Sequence, residues 1–501
     1  VTAVGLDVGT SSVKGVALDS GGGVLAVEEE SHPIATPRPG WTEQDPEHWW
    51  RGAERVLARL RARAGPPTGI GLSGQMHGLV ALDDAGRVLR PALLWNDQRT
   101  AAEAQEIEAR LGGVAGAVAA TGNRVQTGFT APKLLWLERH EPELHARIAS
   151  LLLPKDYVRV RLCGERATDV TDASGTAWFD VRGRRWSDPV LQALGVDASW
   201  LPPVLESGQM SGRTAEGVAV AAGAGDQGAG ALGVGALGPG AAWAGGAGSG
   251  AVGVGAGAPG SEIADPASIV LGTSGVVLGG LDGYAADPEG RLQASCHVVP
   301  ERWFAMGVML SAAGSLAWLH GIAGGGASVA ELLAEAERWP PGAEGLVFLP
   351  YLSGERTPHA DPHARGAFVG LSVRHDRGAL TRAVLEGVAF ALRDALDLLV
   401  GLGARPRVGR ASGGGARSDL WLRIVASVLE LPLERVAVEE GAAYGAALLG
   451  GVAGGMWRDP FEAASACVRG RPAAEPDEAW VRVYAEERER YRALYPALRG
   501  V

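Results

Sequence analysis

Leu6-Asp7-Val8-Gly9-Thr10-Ser11-Ser12-Val13-Lys14 is the stretch on which the fold turns. An apolar, β-like run from Ala3 leads into it, and another, Val16 to Leu18, leads out. The pattern is a strand, a tight glycine turn and a returning strand. It recurs far downstream: Ser268 to Leu271 enters Leu271-Gly272-Thr273-Ser274-Gly275, and Val276 to Leu278 leaves it. Glycine lets backbone N–H groups converge on an anion, and the hydroxyls add donors. Two such cradles facing each other can grip one polyphosphate from both sides, which points to ATP.

Composition sets the outer bounds. A chain of 501 residues suits two large domains, and 46% hydrophobic residues suffice for substantial cores. A net charge of -11 argues against nucleic acid or an acidic membrane as partner and suits a small neutral substrate. Cys163, Cys296 and Cys467 form no CxxC pair, which implies a reducing compartment without a disulfide framework. Asp7 and Lys14 fall inside any would-be signal core, and no run of about 20 residues has the bulk of a membrane span. The cytoplasm is the expected location; a homodimer is one candidate assembly, with oligomeric state left open.

The first third alternates strands and helices. Asp45-Pro46 reads as a helix start, Asp as N-cap and Pro in the first helical position, with Trp49, Trp50, Val56, Leu57 and Leu60 carried behind it. Gly69 to Ser73 is a short buried strand leading into Gly74-Gln75-Met76-His77-Gly78. Trp136 to Ile148 reads as helix, and Ala222 to Gln227 as a loop opening another. The second half repeats the hairpin, then shows helical periodicity from Leu380 to Val400, a loop at Ala411 to Ser418, a helix from Trp421 to Leu429 and a charged helical tail from Glu475 to Leu498.

Residues 224–240 read AGDQGAGALGVGALGPG, and 244–260 read AGGAGSGAVGVGAGAPG, aligned without gaps. Gly246 and Ala247 stand where Asp226 and Gln227 stood. The pair reads as a local duplication that lost its acid, set against chance similarity between two Gly/Ala-rich stretches. Trp243 to Ile263 is low-complexity and is expected to be a surface loop at the domain junction.

These motifs together resemble the FGGY carbohydrate kinases, and within them the branch acting on xylulose. The resemblance covers nearly the whole chain. Asp7 to Lys14 looks like the family's first phosphate motif. Gln75-Met76-His77-Gly78 and Leu94-Trp95-Asn96-Asp97-Gln98-Arg99 look like its substrate segments, and Gly128 to Trp136 like its first signature. Leu153 to Tyr157 and Thr171 to Thr176 look like further family blocks. Gly225-Asp226-Gln227 looks like the catalytic-acid motif, and Ser412-Gly413-Gly414-Gly415-Ala416-Arg417-Ser418 like the adenosine motif. His359, Asp361 and His363 look metal-like but adjoin Gly354-Glu355-Arg356-Thr357-Pro358, a loop typical of the family, with no fourth ligand evident.

The resemblance implies an α/β fold of two ribonuclease-H-like domains, of the actin, sugar-kinase and heat-shock superfamily, flanking a catalytic cleft. The expected division is 1–236 for sugar, first phosphate hairpin and catalytic Asp, 237–263 for the insertion, and 264–501 for the second hairpin and adenosine. The implied reaction is ATP-dependent phosphorylation of D-xylulose to D-xylulose 5-phosphate. Alternatives are another kinase of the family, acting on ribulose, gluconate or glycerol, and a sugar-binding regulatory pseudokinase.

Phosphoryl transfer needs a phosphate cradle, Mg²⁺, an acceptor for the hydroxyl proton and exclusion of water. Asp226, among Gly225, Gly228 and Gly230, is the expected general base, its plainer reading being a helix N-cap. Asp7 is the expected Mg²⁺ ligand, or else a turn-stabilising carboxylate. Gly9, Thr10, Ser11, Ser12, Gly272, Thr273 and Ser274 are expected at phosphates, and Lys14 either there or in solvent. Gly413, Gly414 and Gly415 offer a flat backbone surface to adenosine, or simply a tight turn. Met76 and His77 are expected to wall and hydrogen-bond the sugar. Trp95, Asn96, Asp97 and Arg99 form either a substrate cluster or a buried network.

Overall fold

The computed structural model describes residues 1–237, 266–438 and 441–499. The second copy of the apparent duplication, and the Trp243 to Ile263 segment with it, lie outside the described residues.

The first sheet grows from the first glycine hairpin. Strands β1 (Ala3–Val8), β2 (Ser12–Leu18) and β3 (Val24–Ser31) are antiparallel neighbours. Helix α1 (Pro46–Ala64) then crosses to β4 (Gly69–Gly74), which lies parallel to β1. Asp45 caps α1 by accepting the Glu47 N–H, and Pro46 opens it, as the Asp-Pro pair predicts. Its apolar face, Trp49, Val56, Leu57 and Leu60, packs on Val4, Leu6, Val8 and Val13. The sheet is completed by β5 (Met210–Arg213), β6 (Ala219–Ala221) and the two-residue β7 (Ala224–Gly225), the last two parallel to β4.

The helix expected at Trp136 to Ile148 sits earlier, as α2 (Thr130–His140). Pro142 denies an N–H to a continuing helix, so α2 stops and a separate turn, Pro142–His145, follows.

The second sheet repeats the plan. β8 (Pro266–Leu271) and β9 (Gly275–Leu281) form the second hairpin, extended antiparallel by β11 (Trp303–Met309) and β10 (Gln293–Cys296). Helix α4 (Arg377–Gly401) crosses to β12 (Val408–Ser412), parallel to β8, and α5 (Asp419–Leu429) crosses to β13 (Leu433–Val436). An antiparallel pair, then a long helix, then parallel strands is thus built twice.

Two helices lie against the first sheet, and one of them also meets the second. Helix α3 (Asp226–Val234) follows β7 directly; its Ala231 and Val234 pack on Val276, Leu278, Phe304 and Met306 of the second sheet. Helix α6 (Gly441–Ala453) comes from the second half of the chain yet lies across the first sheet and α3. Its approach is so close that a Cβ on Gly71 would lie 1.8 Å from the Ala446 carbonyl oxygen, and one on Gly445 would lie 1.9 Å from that of Ala229. Asp226 therefore opens a helix wedged between the two sheets.

Candidate active site

Strand register brings the two candidate carboxylates together. Asp7, Ser73 and Ala224 form one row across β1, β4 and β7, and Asp226 follows two residues beyond Ala224. Lys14 flanks Asp7 on the other side, as its partner in β2. Burial raises the Asp7 carboxyl, while Ser73 and the Lys14 charge pull it down. Its Oδ1 is buried without a hydrogen-bond partner. Burial pushes Asp226 up to about 7, and the negative charge of Asp7 adds to the push. One carboxyl with an unspent oxygen beside another poised near neutrality can hold a hard cation and accept a proton, respectively.

The peptide before Asp226 is held from beneath. Gly225 N–H donates to Thr171 Oγ1 at 2.9 Å, and that hydroxyl donates to Asp169 Oδ2 at 2.6 Å. Ser207 donates to the same oxygen at 3.0 Å. Asp169 is in turn one of three buried carboxylates around Lys155 Nζ, with Asp156 at 2.7 Å, Asp169 at 2.9 Å and Asp172 at 3.2 Å. Thr171 lies in a block recognisable by its resemblance, but nothing local in the sequence assigns it this task.

Met76 stands against Gly225, the residue before Asp226, and His77 follows it. A Cβ on Gly225 would lie 2.7 Å from Met76 Cγ, so the two residues are in contact. His77 adopts a left-handed φ of 70°, unusual for a side chain of its size. Its Nδ1 meets the Gly175 carbonyl at 2.9 Å, and its ring faces Phe129 at 4.8 Å. Burial, assisted by the Lys133 and Arg356 charges, lowers His77 to about 3, leaving a neutral ring. The His77 carbonyl accepts from Lys133 Nζ at 2.9 Å and from Thr130 Oγ1 at 3.2 Å. Lys133 also donates to the carbonyls of Phe129 and Gly128, and burial lowers it to about 7. Lys133, not singled out by sequence, is what pins the strained His77 turn.

Trp95 and Asn96 face the cleft; Asp97 and Arg99 do not. Asp97 is fully buried, accepting from Thr42 N–H at 2.6 Å and from the Arg99 guanidinium at 2.7 and 2.9 Å. Arg99 also meets Glu43 at 2.8 Å and lies 3.7 Å over the Trp41 ring. Of the two readings for this pair, the contacts are those of the buried network: the two charges are paired with each other.

The first turn is likewise more engaged than its hydroxyls suggest. Gly9 N–H closes the turn on Ser12 O at 3.0 Å. The Thr10 hydroxyl accepts from Trp95 Nε1 at 3.0 Å and donates to Gln75 Oε1 at 3.3 Å; Ser12 donates to Glu29 at 2.6 Å. Those two protons are committed to protein, so Thr10 ties Trp95 to the turn, while Ser11 is exposed. In the second turn, carbonyls of Gly272 and Thr273 accept N–H groups of Ala313 and Ala312, both at 2.8 Å. That turns the peptide oxygens inward and leaves Thr273 exposed at the tip. Gly413, at φ 86°, presses on the Leu271 carbonyl beside this turn, and Gly414 faces open space. Gly415, unlike Gly413 and Gly414, is buried, with Trp421 against it.

A cavity of about 830 Å³ opens between the lobes. Trp95, Asn96 and Gly128 line it from the first, Arg291, Glu355 and Arg356 from the second. His359 and Asp361 point elsewhere, both onto Tyr495 of the C-terminal helix.

Paired ribonuclease-H-like sheets, each led by a glycine-turn hairpin, define the class that holds actin and the sugar kinases. Within it, the model of the FGGY N-terminal domain matches residues 2–233 and that of the C-terminal domain residues 267–454. The chain belongs to the FGGY family of carbohydrate kinases. The xylulose kinase of Escherichia coli (strain K12) is 40% identical over 512 aligned residues, covering 99% of both chains. The crystal structure of a "xyloylose kinase" from Brucella ovis is 41% identical, with a TM-score of 0.89 over 99% of each chain. The xylulose kinase of Rhodospirillum rubrum is 33% identical with a TM-score of 0.88, again over 99% of each. Among the described residues, no helix is long and apolar enough to cross a membrane.

Proposed function

We propose that this chain transfers the γ-phosphoryl group of ATP to the C5 hydroxyl of D-xylulose, giving D-xylulose 5-phosphate and ADP. The observation that carries the reading is the strand register that sets Asp7 in one row with Ser73 and Ala224, two residues before Asp226, with the intervening Gly225 against Met76. Full-length similarity to xylulose kinases supports the choice of sugar.

Asp226 accepts the hydroxyl proton as the sugar oxygen attacks phosphorus; the bond to the ADP oxygen breaks and its electron pair leaves with ADP. Met76 supplies an apolar wall, and the neutral His77 ring a directional hydrogen bond. Asp7, with an unspent oxygen, fits Mg²⁺, which when bound neutralises charge on the phosphates. Lys14 adds positive charge at the first turn, and the Gly272–Ser274 turn with Gly413 and Gly414 meets the nucleotide from the other lobe. Residues 1–236 and 264–501 act as the two lobes, joined by 237–263.

Coupled ADP release over D-xylulose, D-ribulose, gluconate and glycerol tests the reading. The expected result is a kcat/KM highest for D-xylulose. A preference of about tenfold or more for ribulose or glycerol overturns it, since one hydroxyl contact is worth at least that much discrimination.

A further inference from the structure

Glu355 and Arg356 take no part in the machinery above, yet they face it from the second lobe. Their loop is firmly anchored: Thr357 N–H donates to Val308 O at 3.0 Å, and Thr357 Oγ1 accepts the Val308 N–H at 3.0 Å while donating to Arg291 O at 2.8 Å. Glu355 Oε1 accepts the N–H groups of Leu310 at 3.0 Å and Arg356 at 2.7 Å. Glu355 Oε2 has no partner, although the residue is only 2% exposed. Burial pushes this carboxyl up to about 8.

Arg356 is also unspent. Among the described residues no carboxylate lies within 4 Å of its guanidinium and no acceptor is hydrogen-bonded to it. Its Nη2 is 3.9 Å from where a Cβ on Gly128 would sit, and its charge is felt by His77. Across the cavity, Asn96 Oδ1 is, after Glu355 Oε2, a second buried polar atom without a partner. Buried polar groups are rarely left unpaired, and a hydroxyl-rich ligand in this cavity satisfies both of these and the half-buried Arg356 guanidinium beside them. Contacts link the parts of the cleft: Gly225, the residue before Asp226, touches Met76, His77 follows Met76, Lys133 joins the His77 and Gly128 carbonyls, and Gly128 lies beside Arg356.

We infer that Glu355 and Arg356 form the second-lobe half of the sugar site, with Arg356 donating to the oxygens at the carbonyl end of an open-chain ketose whose opposite hydroxyl lies at Asp226. The inference rests on the proposed reaction and adds to it: sugar recognition is shared between lobes, so the sugar itself favours their closure.

The experiment compares wild type, Arg356→Met, Arg356→Lys and Glu355→Gln by ADP release on D-xylulose and on 1-deoxy-D-xylulose, which lacks the C1 hydroxyl. Arg356→Met is expected to raise KM for D-xylulose by about tenfold or more, and KM for 1-deoxy-D-xylulose by less than about threefold, because the analogue has lost an oxygen the guanidinium binds. KM for ATP stays within about twofold, and Arg356→Lys recovers part of the loss. Glu355→Gln also raises KM for D-xylulose. Equal losses on both ketoses, or an unmoved sugar KM in Arg356→Met and Arg356→Lys, overturn the second-lobe site while leaving the reaction standing. Wild type that turns over neither ketose overturns the reaction, and the site with it.

Discussion

The Thr171 hydroxyl accepts the Gly225 N–H at 2.9 Å, and so holds the peptide that delivers Asp226. Its own proton is fixed on Asp169, which leaves the oxygen lone pairs directed at Gly225. Thr171→Val keeps the shape and removes the link. The expected result is a loss of about ten- to a hundredfold in kcat with sugar KM changed less than about threefold, the signature of a misplaced reacting group rather than lost binding. Thr171→Ser restores kcat. A loss appearing only in KM, or a serine variant as impaired as the valine one, contradicts this role.

The acid limb of the pH profile is expected to follow Asp226, the proposed base. Its carboxyl is raised to about 7 by burial and by Asp7, so it is neutral at lower pH and cannot accept a proton there. kcat/KM for the sugar is expected to climb with pH and level off above about 7. Asp7→Asn removes the like charge and moves the limb to lower pH, whatever it does to the plateau. A profile already flat down to about pH 5 is incompatible with Asp226 as base.

Gly175 is the floor under His77. A Cβ there would lie 2.2 Å from His77 Cε1 and 2.3 Å from Nδ1, so Gly175→Ala drives the ring off its site. Sugar KM is expected to rise by about tenfold or more while ATP KM holds, since only the sugar pocket is remodelled. An unchanged sugar KM would remove His77 from the site.

Arg99 separates stability from binding. It neutralises Asp97 and Glu43 in the interior. Arg99→Met leaves the fully buried Asp97 without its cation, whereas Glu43 keeps Arg90, and the expected cost is about 3–5 kcal/mol in denaturant unfolding. Sugar KM of the folded enzyme is expected to stay as in wild type, whereas a large KM change would return Arg99 to the substrate site.

What the sequence discloses and what it conceals divide along physical lines. Both glycine hairpins are legible because strand, turn and strand are contiguous, and the start of α1 is legible because Asp45 and Pro46 cap within one turn. The segment from Trp95 to Arg99 is legible only as polar. Which of its side chains face the cavity depends on Glu43, Trp41 and Trp136, remote in sequence. Thr171 finds Gly225 across 54 positions, and Lys133 finds the His77 carbonyl across 56. Gly71 and Gly445 read merely as small residues until α6 is seen lying almost backbone to backbone on the first sheet and on α3. Gly415 sits in a motif whose other glycines are exposed, and only the Trp421 ring beneath it reveals that it packs inward.

The most direct test of Asp226 as proton acceptor for a ketose is Asp226→Asn, assayed for D-xylulose-dependent ADP release alongside D-xylulose binding by calorimetry. Asn keeps the size and loses the basicity, so the expected result is a fall in kcat of about 10²–10⁴-fold with xylulose affinity preserved within a few-fold. Turnover within about tenfold of wild type would contradict the account, because a carboxamide cannot take the hydroxyl proton.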